Sequence, residues 1–162
     1  MPLRRLLKGF SDFRLGYYRE HLDLFEKLAN EGQAPKILIV ACSDARVDPG
    51  ILTQTQPGDI FTVRNVAAMV PPAQYPPDTR HHGTSAAIEF AVRGLGVEHI
   101  VVLGHALCGG IGALVDGRDA EIRRAGGVHG LQGACSTRRA SSDLDRTGFA
   151  IGSCGVIDQH AH

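Results

Sequence analysis

Three short apolar runs, rich in β-branched residues, constrain the fold of this chain most. They occupy residues 36–42 (KILIVAC), 59–64 (DIFTVR) and 98–104 (EHIVVLG). Unbroken apolar runs of this length are typical of strands covered on both faces, as in a parallel sheet. Apolar residues at helical spacing predict a helix over residues 10–30, with its stop at Gly32. Further helices are expected over residues 84–95, with Thr84 or Ser85 as the N-cap, and over residues 109–115. Strands that alternate with helices predict an α/β fold, a three-layer domain whose mostly parallel β-sheet is flanked by helices.

The composition narrows the classes of function. Seventeen basic and seventeen acidic residues cancel among 162 residues, so the chain lacks the overall charge that would hold nucleic acid or an anionic membrane. No apolar run approaches the ~18 residues of a membrane span, and no secretory signal follows the basic N-terminus. We therefore expect a cytoplasmic protein with no nucleic-acid or membrane partner. Its four cysteines are too few for a disulfide scaffold, which favours metal binding or catalysis.

Two of the predicted strands end in reactive side chains. Cys42 closes the first run, and His105 and Cys108 follow the third in the segment GHALCGG. Because ligands of open parallel sheets bind beyond the carboxyl ends of the strands, these side chains should converge if the two strands are neighbours. Two thiolates and one imidazole suit Zn²⁺, and three protein ligands leave a fourth position open, as in catalytic sites. A buried thiol or a structural imidazole would explain each residue alone, but their combined spacing favours the metal.

Asp44 and Arg46 lie two residues apart beside the first predicted ligand. At a strand end both side chains can face the same way and form a charge-assisted, bidentate ion pair. On an ordinary surface such a pair contributes little to stability. Beside a metal, Arg46 would keep Asp44 from binding the ion, and the ionised carboxylate would accept a hydrogen bond from zinc-bound hydroxide. Asp44 and Arg46 are therefore the predicted catalytic pair.

Taken together, these motifs resemble those of the β-class carbonic anhydrases. The resemblance covers about residues 10–117 and is carried by CSDARVDP (42–49), QPGD (56–59), VRNVA (63–67), HGTSAAIEF (82–90) and GHALCGG (104–110). It implies that Cys42, His105 and Cys108 bind zinc, and that Asp44 and Arg46 act beside it. The implied reaction is the reversible hydration of carbon dioxide to bicarbonate and a proton, by zinc-bound hydroxide.

The resemblance also implies a substrate pocket and an oligomer. In the family the pocket forms across a dimer interface, and here it maps onto the side chains of Gln33, Phe61, Val66 and Phe90. The N-terminal helix would pack on a partner subunit, which gives a homodimer or a higher homo-oligomer. The chain then divides into a zinc domain over residues 1–118 and a segment over residues 119–162 that matches no family element. This segment is expected to be loosely ordered, apart from a weak strand pattern over residues 149–151.

Other interpretations of these residues stay open. An enzyme with the same fold and metal could hydrolyse carbonyl sulfide or carbon disulfide, because the pocket walls and not the ligands would select the substrate. The chain could also be truncated and bind zinc without turnover, since its C-terminal segment is unmatched. Cys135 or Cys154 could in principle supply a fourth ligand, although neither belongs to a short paired spacing. A metal-free thiol enzyme using Cys42 would leave His105 and Cys108 unexplained.

Overall fold

The computed structural model describes residues 1–71, 83–115 and 149–154, which belong to two compact units, Met1–Gln33 and the chain from Ala34 onward. The N-terminal unit consists of helices α1 (Pro2–Leu15), α2 (Tyr17–Glu20) and α3 (Leu22–Glu31). The sequence predicted one helix over residues 10–30. Helical structure instead begins at Pro2, where proline fits a first turn, and is interrupted at Gly16 and His21. The predicted stop at Gly32 is confirmed, with a φ of 79° that glycine adopts readily.

Aromatic rings pack together within the N-terminal unit. The ring of Phe13 lies 5.8 Å from that of Phe25 and 6.0 Å from that of Tyr17, measured between centroids. None of the three helices buries a residue, and α1 exposes large apolar side chains at Leu3, Leu6, Leu7 and Phe10. Short helices are marginally stable in water. A unit of this kind gains stability when another surface covers its apolar side.

The second unit is built on a four-stranded sheet. Its strands are β1 (Ile37–Cys42), β2 (Ile60–Asn65), β3 (His99–His105) and β4 (Phe149–Cys154), in the spatial order β2-β1-β3-β4. β1 pairs in parallel with β2 and with β3, whereas β4 pairs antiparallel to β3. The three predicted strands are confirmed to within one residue at each end, and so is the mostly parallel α/β fold class.

β4 belongs to the C-terminal segment that the sequence analysis could not match. The sequence offered only a weak strand pattern over residues 149–151, because the continuation Gly152-Ser153-Cys154 lacks the apolar signal of a buried strand. Its pairing with β3 comes from backbone hydrogen bonding, which any residue except proline can provide. The division of the chain at residue 118 stays a prediction.

β1 is buried on both faces, which explains its unbroken apolar sequence. Because successive side chains of a strand point to opposite faces, even and odd positions pack into different cores. Leu38 and Val40 are fully buried and pack with Ala91, on the face covered by residues 83–95. Ile39 and Ala41 pack on the opposite face with Val47, Ala68 and Leu103. The sheet therefore lies between two apolar layers, and its strand ends remain available for the site.

The helices predicted after β2 and β3 are present. α5 (Gly83–Glu89) begins one residue before the expected N-cap residues Thr84 and Ser85, which therefore lie inside the helix. It continues as a π-helical segment, Phe90–Leu95. α6 (Gly109–Val115) begins at the predicted residue. A short helix that was not predicted, α4 (Pro49–Thr53), follows a turn at Ala45–Val47 and is capped by the carboxylate of Asp48. Within the described ranges, every helix is too short or too polar to cross a bilayer.

Candidate metal centre

The parallel pairing of β1 with β3 brings Cys42 and His105 to one edge of the sheet. Each is the last residue of its strand. Cys108 follows three residues after His105, immediately before α6. The two sulfur atoms and one imidazole nitrogen lie within 4.8 Å of one another. The structure therefore brings the three predicted ligands together.

The spacing of the two sulfurs fits a tetrahedral zinc ion. Two thiolates bound to such an ion at ~2.3 Å stand about 3.8 Å apart. The Sγ atoms of Cys42 and Cys108 are 3.9 Å apart. Two sulfurs and one nitrogen are a donor set typical of zinc, whereas calcium and magnesium prefer oxygen. The residues present therefore fit zinc, and a set of three ligands leaves one tetrahedral position open.

The imidazole of His105 is held in the tautomer that a metal requires. Its Nδ1 lies 3.0 Å from the carbonyl oxygen of Ala106. Because a carbonyl can only accept, Nδ1 carries the proton and the lone pair of the neutral ring is on Nε2. Among the described residues, Nε2 is buried without a hydrogen-bond partner, in a side chain that is 2% exposed. A buried nitrogen lone pair beside two thiols is the arrangement expected of a metal ligand.

The surroundings of Cys42 favour its thiolate form. Burial by itself raises the pKa of this thiol. Hydrogen bonds from the Asp44 N–H, the Ala67 N–H and the Cys108 thiol outweigh burial and lower the pKa of Cys42 to about 7. The sulfur can therefore be ionised near neutral pH, which metal binding requires.

Arg46 holds the carboxylate of Asp44 next to these ligands. Oδ1 of Asp44 accepts from the backbone N–H of Arg46 at 2.9 Å and from Nε at 2.8 Å, and Oδ2 accepts from Nη2 at 2.9 Å. This bidentate pair holds the pKa of the Asp44 carboxyl well below its usual range. Oδ2 also lies 4.0 Å from Nε2 of His105. An ionised carboxylate therefore borders the three candidate ligand atoms.

Three residues that the sequence analysis did not single out also shape this site. Arg64, near the end of β2, donates to the carbonyl oxygens of Cys42 and Asp44. Ala67 has a φ of 66° and presents its N–H to the Cys42 sulfur. Gly110 approaches Ala67 so closely that an added Cβ would lie 2.9 Å from the Ala67 Cβ. Arg64 was identifiable as the last residue of a predicted strand, whereas the other two contacts depend on the path of the backbone.

The apolar residues of the predicted pocket are partly assembled. Phe61 and Phe90 pack with their ring centroids 5.9 Å apart. Val66 lies beside Gly110, two residues beyond the predicted ligand Cys108. Phe90 and Val66 are 54% and 55% exposed, so this apolar surface is open in the single chain. Gln33 belongs to the N-terminal unit, and its part in a pocket stays a prediction.

The fold and the site define an α/β protein in which three candidate metal ligands meet at the carboxyl ends of two neighbouring parallel strands. The sequence model described as carbonic anhydrase matches residues 37–143 of the 162 in this chain. The chain therefore belongs to the carbonic anhydrase family, and its similarity to β-carbonic anhydrases confirms the resemblance that the motifs indicated.

Individual relatives agree with this assignment. A carbonic anhydrase from Synechococcus elongatus is 38% identical over 141 residues, which are 87% of this chain and 50% of that protein. The solved β-carbonic anhydrase CcaA is 40% identical, with a TM-score of 0.66 over 74% of this chain and 51% of that one. A tetrameric β-carbonic anhydrase from Sordaria macrospora is 34% identical, with a TM-score of 0.59 over 76% of this chain and 68% of that one. The chain spans 35% to 50% of the length of curated relatives.

Proposed function

We propose that this chain binds one zinc ion through Cys42, His105 and Cys108 and catalyses the reversible hydration of carbon dioxide to bicarbonate and a proton. The observation that carries the proposal is the convergence of three soft donors beside an ionised carboxylate. Membership of the carbonic anhydrase family supports the reaction. When bound, zinc supplies a Lewis acid that lowers the pKa of a water molecule to about 7.

Asp44 orients the reacting oxygen in this proposal. A carboxylate oxygen offers about two acceptor sites. On Oδ1 both are used by the N–H and Nε of Arg46, whereas on Oδ2 Nη2 is the one donor among the described residues. The remaining acceptor site is thus on the oxygen nearest His105. It can accept one O–H hydrogen from water or bicarbonate, and it disfavours anions that carry no hydrogen.

Arg46 keeps Asp44 in this role. The guanidinium of Arg46 donates to both oxygens of the Asp44 carboxylate. The carboxylate could therefore turn to bind the cation only by losing two charge-assisted hydrogen bonds. The same contact with Asp44 raises the pKa of Arg46, which stays protonated throughout the physiological range. A lysine would keep the charge but not the bidentate geometry.

The substrate pocket is proposed to be apolar and to be completed by a second copy of the chain. Carbon dioxide carries no hydrogen-bond donor and no net dipole, so walls formed by Phe61, Val66 and Phe90 suit it, and the amide of Gln33 could donate to a substrate oxygen. Exposed apolar surfaces of this kind mark interaction sites. The tetrameric relative supports a homodimer or a higher homo-oligomer, in which the N-terminal helix packs on the partner subunit.

Location in the cytoplasm is part of the proposal. Cys42 and Cys108 are free thiols, and zinc binds them as thiolates. A reducing compartment keeps the two thiols from pairing or oxidising and so preserves the ligand set.

The test measures zinc content and carbon dioxide hydration on the same preparation of the full chain. We expect about one zinc per chain and hydration that a chelator removes and added zinc restores. Cys42→Ser should lose both properties. Cys135→Ser, the same chemical change outside the ligand set, should keep both.

The other possible results of this test lead to different conclusions about the function. Hydration without bound metal would refute the proposal. Zinc binding without hydration would support the non-catalytic alternative. Faster turnover of carbonyl sulfide or carbon disulfide than of carbon dioxide would support the related hydrolase. Loss of zinc in Cys135→Ser would identify a fourth ligand and hence a closed structural site.

A further inference from the structure

We infer that Arg64 is a positioning residue for the Asp44–Arg46 pair, because its guanidinium fixes the turn that presents Asp44 to the metal centre. The inference rests on the proposed function for its effect on catalysis. Its structural part concerns the turn itself and can be measured without turnover.

The guanidinium of Arg64 reaches three acceptors around this turn. Nε donates to the carbonyl oxygen of Cys42 at 3.1 Å, and Nη2 donates to the carbonyl oxygen of Asp44 at 2.8 Å. These carbonyls belong to the peptide units Cys42–Ser43 and Asp44–Ala45, on either side of the Ser43–Asp44 unit. Nη1 donates to Oδ2 of Asp48 at 2.8 Å. One side chain of β2 therefore holds the chain at three points, one at the end of β1 and two just beyond it.

The held peptide units are the ones that orient Asp44. Its carbonyl accepts from Val47 N–H at 3.2 Å as well as from Arg64 and thereby closes the turn. Its own N–H is directed at the Cys42 sulfur, and its carboxylate accepts the Arg46 N–H. Rotation of the peptide after Asp44 would break both hydrogen bonds of the Asp44 carbonyl, the one from Val47 and the one from Arg64. Arg64 limits that rotation because its guanidinium group is planar and rigid.

Asp48 anchors the guanidinium. Oδ2 accepts from Arg64, while Oδ1 caps α4 by accepting from the Ile51 N–H at 3.2 Å. The side chains of Arg64 and Asp48 are 30% and 39% exposed, so the pair is partly shielded from solvent. Within the described residues, Arg64 has no hydrogen bond to a ligand atom or to the Asp44 carboxylate. It therefore acts through the backbone of the turn.

The test compares Arg64→Met and Arg64→Lys with the parent as zinc-loaded full chains. In Arg64→Met we expect zinc content to be kept, while kcat falls about 10–100-fold, as for other outer-shell partners of metal sites, and KM changes little. Hydrogen exchange at the Val47 amide should become faster, and the absorption spectrum of the cobalt-substituted protein should change. Arg64→Lys should lie between the two, since lysine keeps the charge but cannot reach three acceptors.

Two further variants separate positioning from simple stabilisation. Arg93→Met removes an exposed arginine–glutamate pair of the same unit and should leave kcat and Val47 exchange unchanged. Asp48→Ser keeps a good helix cap but removes the carboxylate that anchors Arg64, so it should reproduce part of the Arg64→Met effect. If Arg64→Met does not fold, Asp48→Ser and Arg64→Lys decide the question.

Unchanged Val47 exchange and an unchanged cobalt spectrum in the Arg64 variants would overturn the inference. Faster exchange spread equally over all strands would also overturn it, because that pattern indicates a general loss of stability. If the parent chain binds zinc but does not hydrate carbon dioxide, the exchange and spectral measurements still test the inference. Failure of the proposed function is therefore distinguishable from failure of the inference.

Discussion

Gly110 is a position at which one added methyl group should disturb the metal centre. A Cβ at Gly110 would lie 2.8 Å from Val66 Cγ1 and 2.9 Å from Ala67 Cβ. Non-bonded carbon atoms stand about 3.5–4.0 Å apart, so the contact with Ala67 must open by roughly 0.6–1.1 Å. Val66 is more than half exposed and can rotate away. The Cβ of Ala67 moves only with its backbone, whose N–H is directed at the Cys42 sulfur.

A matched glycine in the same helix isolates the cost of this contact. Gly112 has no atom within 4 Å of an added Cβ, so Gly112→Ala should stabilise the fold by up to about 1 kcal/mol through helix propensity. Gly110→Ala makes a similar propensity gain but adds overpacking, which costs about 1–3 kcal/mol. The free energies of unfolding of the two variants should therefore differ by about 1–3 kcal/mol, with Gly110→Ala the less stable.

Urea unfolding of both variants, with and without zinc, measures this difference. Zinc affinity, measured by competition with a chelator, should fall about 10-fold in Gly110→Ala and stay unchanged in Gly112→Ala, because only the first displaces a hydrogen bond to a ligand. Equal stability and equal zinc affinity of the two variants would refute the reasoning, because the backbone at Ala67 would then move aside at no cost in free energy.

Three other expected results concern the same centre. Asp44→Asn should retain zinc in metal analysis yet lose most hydration activity, because the amide offers one acceptor oxygen and no charge to Arg46. Full hydration activity in this variant would contradict the assigned role of Asp44. The folded pKa of Cys42 lies below its ordinary value, so ionisation of Cys42 stabilises the fold above the ordinary thiol pKa, and this contribution is lost as pH falls through about 7. Thiolate absorbance of the metal-free chain should therefore change near pH 7, and this transition should be missing in Cys42→Ser. Zinc at about 100 times its Kd should raise the free energy of unfolding by ~2.7 kcal/mol in urea titrations, and an unchanged midpoint would argue against folding-coupled binding.

Much of the fold was predictable because buried strands have unbroken apolar sequences that can be recognised without the structure. The unbroken run from Ile37 to Cys42 indicated a strand covered on both faces, and both neighbouring layers are present. The ends of β1 and β3 then indicated where Cys42 and His105 would lie, since the carboxyl ends of parallel strands share one edge. The same reasoning gave only a weak strand pattern over residues 149–151 for β4, whose place in the sheet depends on backbone pairing with β3.

The sequence by itself determined which residue types were available to a metal and at which strand ends they occur, because periodicity and spacing are local properties of the chain. Only the tertiary structure decided that β1 lies directly beside β3, which sets the 3.9 Å between sulfurs that are 66 residues apart. It also decided the contacts of Arg64 with the turn after β1 and the close approach of Gly110 to Ala67. These distances arise from packing between segments far apart in the chain, and no local pattern records them.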